Sequence, residues 1–214
     1  MWNPDGNGNL AKIGLLTPHL DDVPESETVT MLPQGVSLHT ARVPFGMLKE
    51  DGTVSSHLHM DDVIAFARGP GLIDAAHRLT PLQPNVVIYA FTSSSYLIGP
   101  DGDRNLQAKL ANACNGAVIV LQSRAILAAA SALGLKKLAV FHPPWFSDQL
   151  NDLGKDYFEA AGLEVVCQKR AELREGLGYI EPKQVYDWAI ENTPDDAEGV
   201  VLAGGGFRCI GAIN

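Results

Sequence analysis

Cysteine is scarce in this chain of 214 residues: Cys114, Cys167 and Cys209 form an odd, widely scattered set. Such a set argues against a disulfide framework and for a reducing compartment, so a cytoplasmic setting is expected. Basic side chains are also few, 16 Lys and Arg against 25 Asp and Glu, leaving a net charge of −9. That balance makes nucleic acid and anionic membranes poor partners. No apolar run reaches the length of a membrane span, and the opening MWNPDGNGNL lacks the basic-then-apolar pattern of a signal peptide. CxxC, HExxH and EF-hand spacings are missing. His57 and His59 in SSHLH stand at a metal-like spacing, yet no third ligand is near, and they read as loop residues. The run Gly204, Gly205, Gly206 is not GxGxxG, and no acidic residue follows at the distance a dinucleotide fingerprint needs.

What is present is apolar and periodic. Hydrophobic residues make up 46% of the chain, enough to fill a core. The most telling stretch is Val86 to Tyr96, VVIYAFTSSSY. Its first five residues form a short continuous apolar run bounded by Pro84 and Asn85, the pattern of a buried strand. Thr92, Ser93, Ser94 and Ser95 follow at once. In an open parallel sheet ligands bind beyond the carboxyl ends of strands, and hydroxyl and backbone donors there suit a carboxylate or an oxyanion. A Ser/Thr turn capping the next helix is the plainer reading. A second stretch of the same kind, GVVLA at 199–203 followed by Gly204 to Gly206, Phe207 and Arg208, weighs against it. Glycines there let backbone approach a ligand closely.

Strands are expected at 12–17, 36–43, 86–90, 117–121, 137–141, 163–167 and 199–203. Helices are expected at 60–79 (broken by Gly69, Pro70 and Gly71), 105–113, 123–133, 147–161 and 182–192. Residues 44–59 read as a loop. The alternation of strand and helix predicts an α/β fold with mainly parallel sheets and helices on both faces. The chain also looks like two similar halves, 1–121 and 122–214, joined near residues 121–124, with a site in the cleft between them.

At this point the residues resemble the aspartate/glutamate racemase superfamily, in its arylmalonate decarboxylase and maleate cis–trans isomerase branch. The matching pieces are IGLLTP at 13–18, VVIYAFTSSSY at 86–96, LGLKKLAVFHPPW at 133–145 and EGVVLAGGGFRCIGAI at 198–213. The resemblance implies two pseudo-symmetric Rossmann-like lobes, a site without cofactor or metal, and chemistry alpha to a carboxylate. It also implies a cysteine after the key strand of each lobe: two thiols in racemases, a thiolate that adds to the double bond in maleate isomerases, one protonating thiol in the decarboxylase. This sequence departs there. Phe91 occupies the first cysteine position and Gly204 the second, while Cys209, five residues further on, reads as packed. The carboxylate cradle maps onto Thr92 and Ser93, with Ser94 beside them. Where the family has a cradle tyrosine, Trp145 or Phe146 stands. After GAIN the family continues through a helix, a strand and a helix, so a partner subunit or further sequence is expected to cover that side.

With both thiols gone, His19 and His142, each at the carboxyl end of an expected strand, become the candidate bases, against the plainer reading of solvated loop histidines. Asp21 and Asp22 read as a turn or cap. Arg208 could pair with a second substrate carboxylate or sit in a salt bridge. The backbone of Gly204, Gly205 and Gly206 is expected to line the far wall. Three functions remain open: a cofactor-independent isomerase or decarboxylase-like enzyme on a small mono- or dicarboxylic acid, a non-catalytic carboxylate-binding protein, and a hydrolase using Ser93, although TSSSY is no GxSxG elbow.

Overall fold

The structure is a computed structural model and describes residues 10–49, 51–55, 57–174 and 180–213. Its first sheet carries four parallel strands in the order β2-β1-β3-β4, formed by β1 (Ala11–Pro18), β2 (Val36–Val43), β3 (Val86–Tyr89) and β4 (Val118–Leu121). The second carries three parallel strands in the order β6-β5-β7, formed by β5 (Lys137–His142), β6 (Glu164–Arg170) and β7 (Gly199–Leu202). The central strands β1, β3 and β5 are the apolar ones, and their inner residues Leu15, Leu16, Val87, Tyr89, Ala139, Val140 and Phe141 are fully enclosed. That is the pattern of strands covered on both faces. No helix among the described residues is long and apolar enough to cross a membrane.

The connecting helices are α1 (Val23–Met31), α2 (Met60–Arg68), α3 (Gly71–Leu79), α4 (Thr92–Ala113), α5 (Gln122–Leu133), α6 (Asp148–Ala160) and α7 (Pro182–Asn192). Local chemistry sets many of their ends. Ser147 Oγ accepts the Leu150 N–H at the start of α6, Glu181 and Gln184 make a capping box around Pro182 on α7, and Gly134 closes α5 in the left-handed conformation at φ 71°. Gly14 of β1 permits close helix packing, since a Cβ there would lie 2.9 Å from Leu79 of α3.

Two elements differ from expectation. The helix after β3 starts earlier than expected: α4 begins at Thr92, at the hydroxyl run itself, and the expected helix at 105–113 is only its second half. Gly99, at φ 71° and ψ 174°, breaks the helix, and Pro100 restarts it. Residues 23–31 form a helix that carries no amphipathic stripe, with only Val23 buried, so periodicity could not announce it.

Candidate active site

The carboxyl ends of both sheets converge on one cavity. Pro18, Leu20 and Asp21 enter it from the turn after β1, Phe45, Met47 and Leu58 from the loop after β2, and Phe91 and Ser93 from the start of α4. Trp145 and Phe146 follow β5, and Gly205 follows β7. The cavity volume is about 30 Å³, which at ~10–15 Å³ per water is room for about two waters or a small polar group. The loop after β2 spans the two sheets, because the Leu58 N–H donates to the Trp145 carbonyl at 3.1 Å.

Asp21 is the one titratable side chain in this lining. It is 5% exposed. Its Oδ1 accepts the Val23 N–H at 3.2 Å, while Oδ2 presses on the second sheet's glycine run so closely that a Cβ on Gly205 would lie 1.9 Å away. Burial, aided by the neighbouring charge of Asp22, pushes its carboxyl up to about 6, against the opposing pull of the Val23 and Gly206 N–H groups and Arg42. Asp21 fills the turn expected from the sequence, accepting the Val23 N–H ahead of α1, and it is also a buried group at the junction of the sheets. Its environment is made by residues some 185 positions away, which no local pattern could reveal.

The four hydroxyls of the cradle point to different places, as successive helix positions must. Ser93 lines the cavity. Thr92 is buried, and its Oγ1 has no hydrogen-bond partner. Ser94 is tied to Tyr89, Oγ to OH at 2.6 Å, and is withdrawn from the cavity. Ser95 turns to Asp103, whose Oδ2 also accepts the Tyr157 hydroxyl at 2.6 Å. In the first turn of a helix the backbone N–H groups lack intrahelical partners, as at residues 92–94 of α4.

The two candidate histidines lie outside the cavity lining. His19 receives the Phe45 N–H on Nδ1 at 2.8 Å and so fastens the loop after β2. His142 is fully buried. Its Nδ1 donates to Asn151 Oδ1 at 2.8 Å, so its Nε2 accepts from the Tyr96 hydroxyl at 3.2 Å. Phe146 stacks on the ring at 5.0 Å. Burial holds this imidazole down to about 4, and it is neutral at ordinary pH. Neither hydrogen-bonds Ser93: His19 holds Phe45, and His142 holds Asn151 and Tyr96.

The two vacant thiol positions are packed shut. Phe91 meets Phe66 at 4.3 Å and Phe45 at 5.2 Å between ring centroids. Gly204 adopts φ +112°, and a Cβ there would lie 2.6 Å from Pro143 Cδ and 3.2 Å from Phe146 Cζ. Trp145 and Phe146 both line the cavity where the cradle tyrosine was sought, and Gly206 turns its N–H towards Asp21. Arg208 takes the salt-bridge option, 3.6 Å from Asp22. Cys209 stays packed, its Sγ donating to the Phe207 carbonyl at 2.9 Å, and burial pushes the thiol up to about 12. No group of three His, Cys, Asp or Glu among the described residues is arranged to hold a metal ion.

A family model described as arylmalonate decarboxylase matches residues 61–214. Solved structures share the fold. A liganded double mutant of arylmalonate decarboxylase aligns with TM-score 0.75 at 21% identity, covering 95% of this chain and 81% of that one. A cysteine-to-alanine variant of the Pseudomonas putida S16 maleate isomerase with maleate aligns with TM-score 0.78 at 21% identity and the same coverage. A Nocardia farcinica maleate cis–trans isomerase mutant holding a covalently bound succinylcysteine intermediate aligns with TM-score 0.75 at 18% identity, covering 92% and 79%. These neighbours are enzymes, one a decarboxylase and two isomerases. A search of curated proteins finds no match to the chain.

Proposed function

The chain belongs to the arylmalonate decarboxylase family, and on that premise we propose that it is a cofactor-independent, isomerase- or decarboxylase-like enzyme in which Asp21 moves the proton that thiols move elsewhere. The observation that carries this reading is the placement of Asp21: buried, raised to about 6, and sharing one small cavity with Ser93. A general base works best when its pKa lies near the operating pH.

The chemistry follows from the placement. Ser93 and the backbone N–H groups of the first turn of α4 hold the substrate carboxylate. In an isomerisation the C–H bond alpha to it breaks, the proton passes to an Asp21 oxygen, the electron pair moves onto the carboxylate as an enediolate, and protonated Asp21 then returns the proton to carbon as the pair flows back, regenerating the carboxylate and the Asp21 base. In a decarboxylation the C–C bond breaks instead, carbon dioxide leaves, and protonated Asp21 returns a proton to the alpha carbon. Both routes build negative charge where the α4 donors wait, which is the place such donors stabilise most. The scarce, unpaired cysteines support a reducing, cytoplasmic setting for this work.

Proton NMR in D₂O with a panel of small carboxylic acids tests the proposal. Deuterium should enter an alpha carbon or a decarboxylated product, and Asp21→Asn should slow that entry by about 10²–10⁴-fold. Thermal stabilisation by an acid without any exchange would instead indicate a binding protein.

A further inference from the structure

Taking the cavity to be the substrate site as read above, we propose that Tyr96 is a positioning residue: through His142 it sets Ser93 against the wall that the second sheet contributes. The segment it acts on is short. The first part of α4 ends where Gly99, at φ 71° and ψ 174°, breaks the helix, and Pro100 has no N–H to return to the Tyr96 carbonyl. Residues 92–98 are therefore not held in line by the long half of α4, and their side-chain anchors decide how they sit. Ser94 ties them to Tyr89 of β3, and Ser95 ties them to Asp103 across the break. Of these anchors only Tyr96 reaches the second sheet, where its hydroxyl meets Nε2 of His142, the last residue of β5, at 3.2 Å. Positions 93 and 96 are three apart and so neighbours on the helix surface.

The contact is directional and has no room to slide. Asn151 Oδ1 takes the Nδ1 proton of His142, which leaves Nε2 as an acceptor aimed at Tyr96. Tyr96 is itself buried, and burial raises its hydroxyl well above the ordinary tyrosine value, so it stays a donor. Helix α6 closes the remaining side through Gly154, where a Cβ would lie 2.6 Å from His142 Cε1 and 3.0 Å from Tyr96 Cε2. Phe146 stacks on the His142 ring at 5.0 Å and lines the cavity together with Ser93. One imidazole thus holds a wall residue by its face and the serine's segment by its edge. Without the hydrogen bond Tyr96 keeps only its packing on Tyr157 and Phe158, at 5.7 and 6.0 Å between ring centroids. Such packing fills space but does not fix the rotation of a short helical turn.

Crystal structures and exchange kinetics of Tyr96→Phe test this, with Tyr157→Phe as the matched control. Tyr157 also donates a buried hydroxyl between α6 and α4, but to Asp103, beyond the break. In Tyr96→Phe, Ser93 Oγ should move by about 1 Å relative to Phe146 and Gly205, and kcat for deuterium entry in D₂O should fall about 10–100-fold while KM moves less than about threefold. Tyr157→Phe should lose comparable stability in urea, yet keep Ser93 in place and kcat within about twofold of native. Asn151→Ala frees the imidazole tautomer and leaves both rings, so it should move Ser93 and kcat in the same direction by less. Where Tyr96→Phe does not fold, the same outcomes are read on Asn151→Ala. An unmoved Ser93 or an unchanged kcat in Tyr96→Phe, or equal changes in Tyr157→Phe, would overturn the proposal. If the native chain exchanges no acid, a displaced Ser93 upholds the positioning role and removes the enzymatic reading alone.

Discussion

At position 204 the backbone has been rebuilt around a hydrogen atom. The residue sits at φ +112° under the Pro143 ring and the Phe146 edge, so a thiol cannot be put back by one substitution. Gly204→Cys should lower the melting temperature, because a side chain at positive φ costs roughly 1–2 kcal/mol and overpacking against Pro143 adds about 1–3 kcal/mol. It should also bring no turnover that depends on the new thiol. A thiol-dependent gain in exchange rate at unchanged stability would contradict this geometry. At Asp21 the pH dependence of kcat/KM is the matching observable. With Asp21 as base, kcat/KM should climb about tenfold per pH unit below its value of about 6 and level off above it. Asp21→Asn should leave a low, flat profile.

Among the elements, α1 does more than connect two strands. Its Glu27 accepts the backbone N–H groups of Cys209 at 2.7 Å and Ile210 at 2.9 Å, pinning the segment that follows the glycine run. Bonds to a charged acceptor contribute about 1.5–3 kcal/mol each. Glu27→Ala should therefore lower stability measurably in denaturant titrations and reduce kcat/KM, since Gly205 and Gly206 would lose their fixed distance from Asp21. Glu27→Gln retains an acceptor oxygen and should recover most of both losses. A variant with native stability and native kcat/KM would show that the pin is idle. The elements also show what sequence could convey. Strands such as VVIY and KLAVFH were legible because apolar runs bounded by Pro, Asn and Gly report local backbone preference. In the first turn of α4 a helix-capping hydroxyl run was legible, but which hydroxyls Tyr89 and Asp103 hold was not, because those contacts depend on side-chain directions that no local pattern shows. Glu27 was hidden for the same reason as Asp21: its partners lie at the far end of the chain.

Across the whole molecule, the two buried groups Asp21 and His142 pull stability in opposite directions with pH. Asp21 titrates at about 6 in the fold against an ordinary value of 3.8. Between those values the folded chain holds a proton that the unfolded chain has lost, so this group's contribution falls as pH rises. His142 titrates at about 4 in the fold against 6.5. There the unfolded chain holds the extra proton, so its contribution falls as pH drops. Each effect is worth about 1.4 kcal/mol per pH unit and on the order of 3 kcal/mol in full. The two windows overlap from about pH 4 to 6, where these two slopes oppose each other, and buried Asp103, also raised by burial, adds to the Asp21 side. Removing one group should expose the other. Asp21→Asn should make stability rise with pH across that range relative to the native chain, and should be the more stable protein at pH 8, as expected when a site holds a carboxylate for use at the expense of stability. His142→Asn should make stability fall with pH over the same range, whatever its absolute level. Urea titrations at pH 4, 5, 6 and 8 read both slopes. Parallel curves for all three proteins would mean that neither group is buried as the fold has it, and would remove the physical basis for Asp21 as the proton-transfer group.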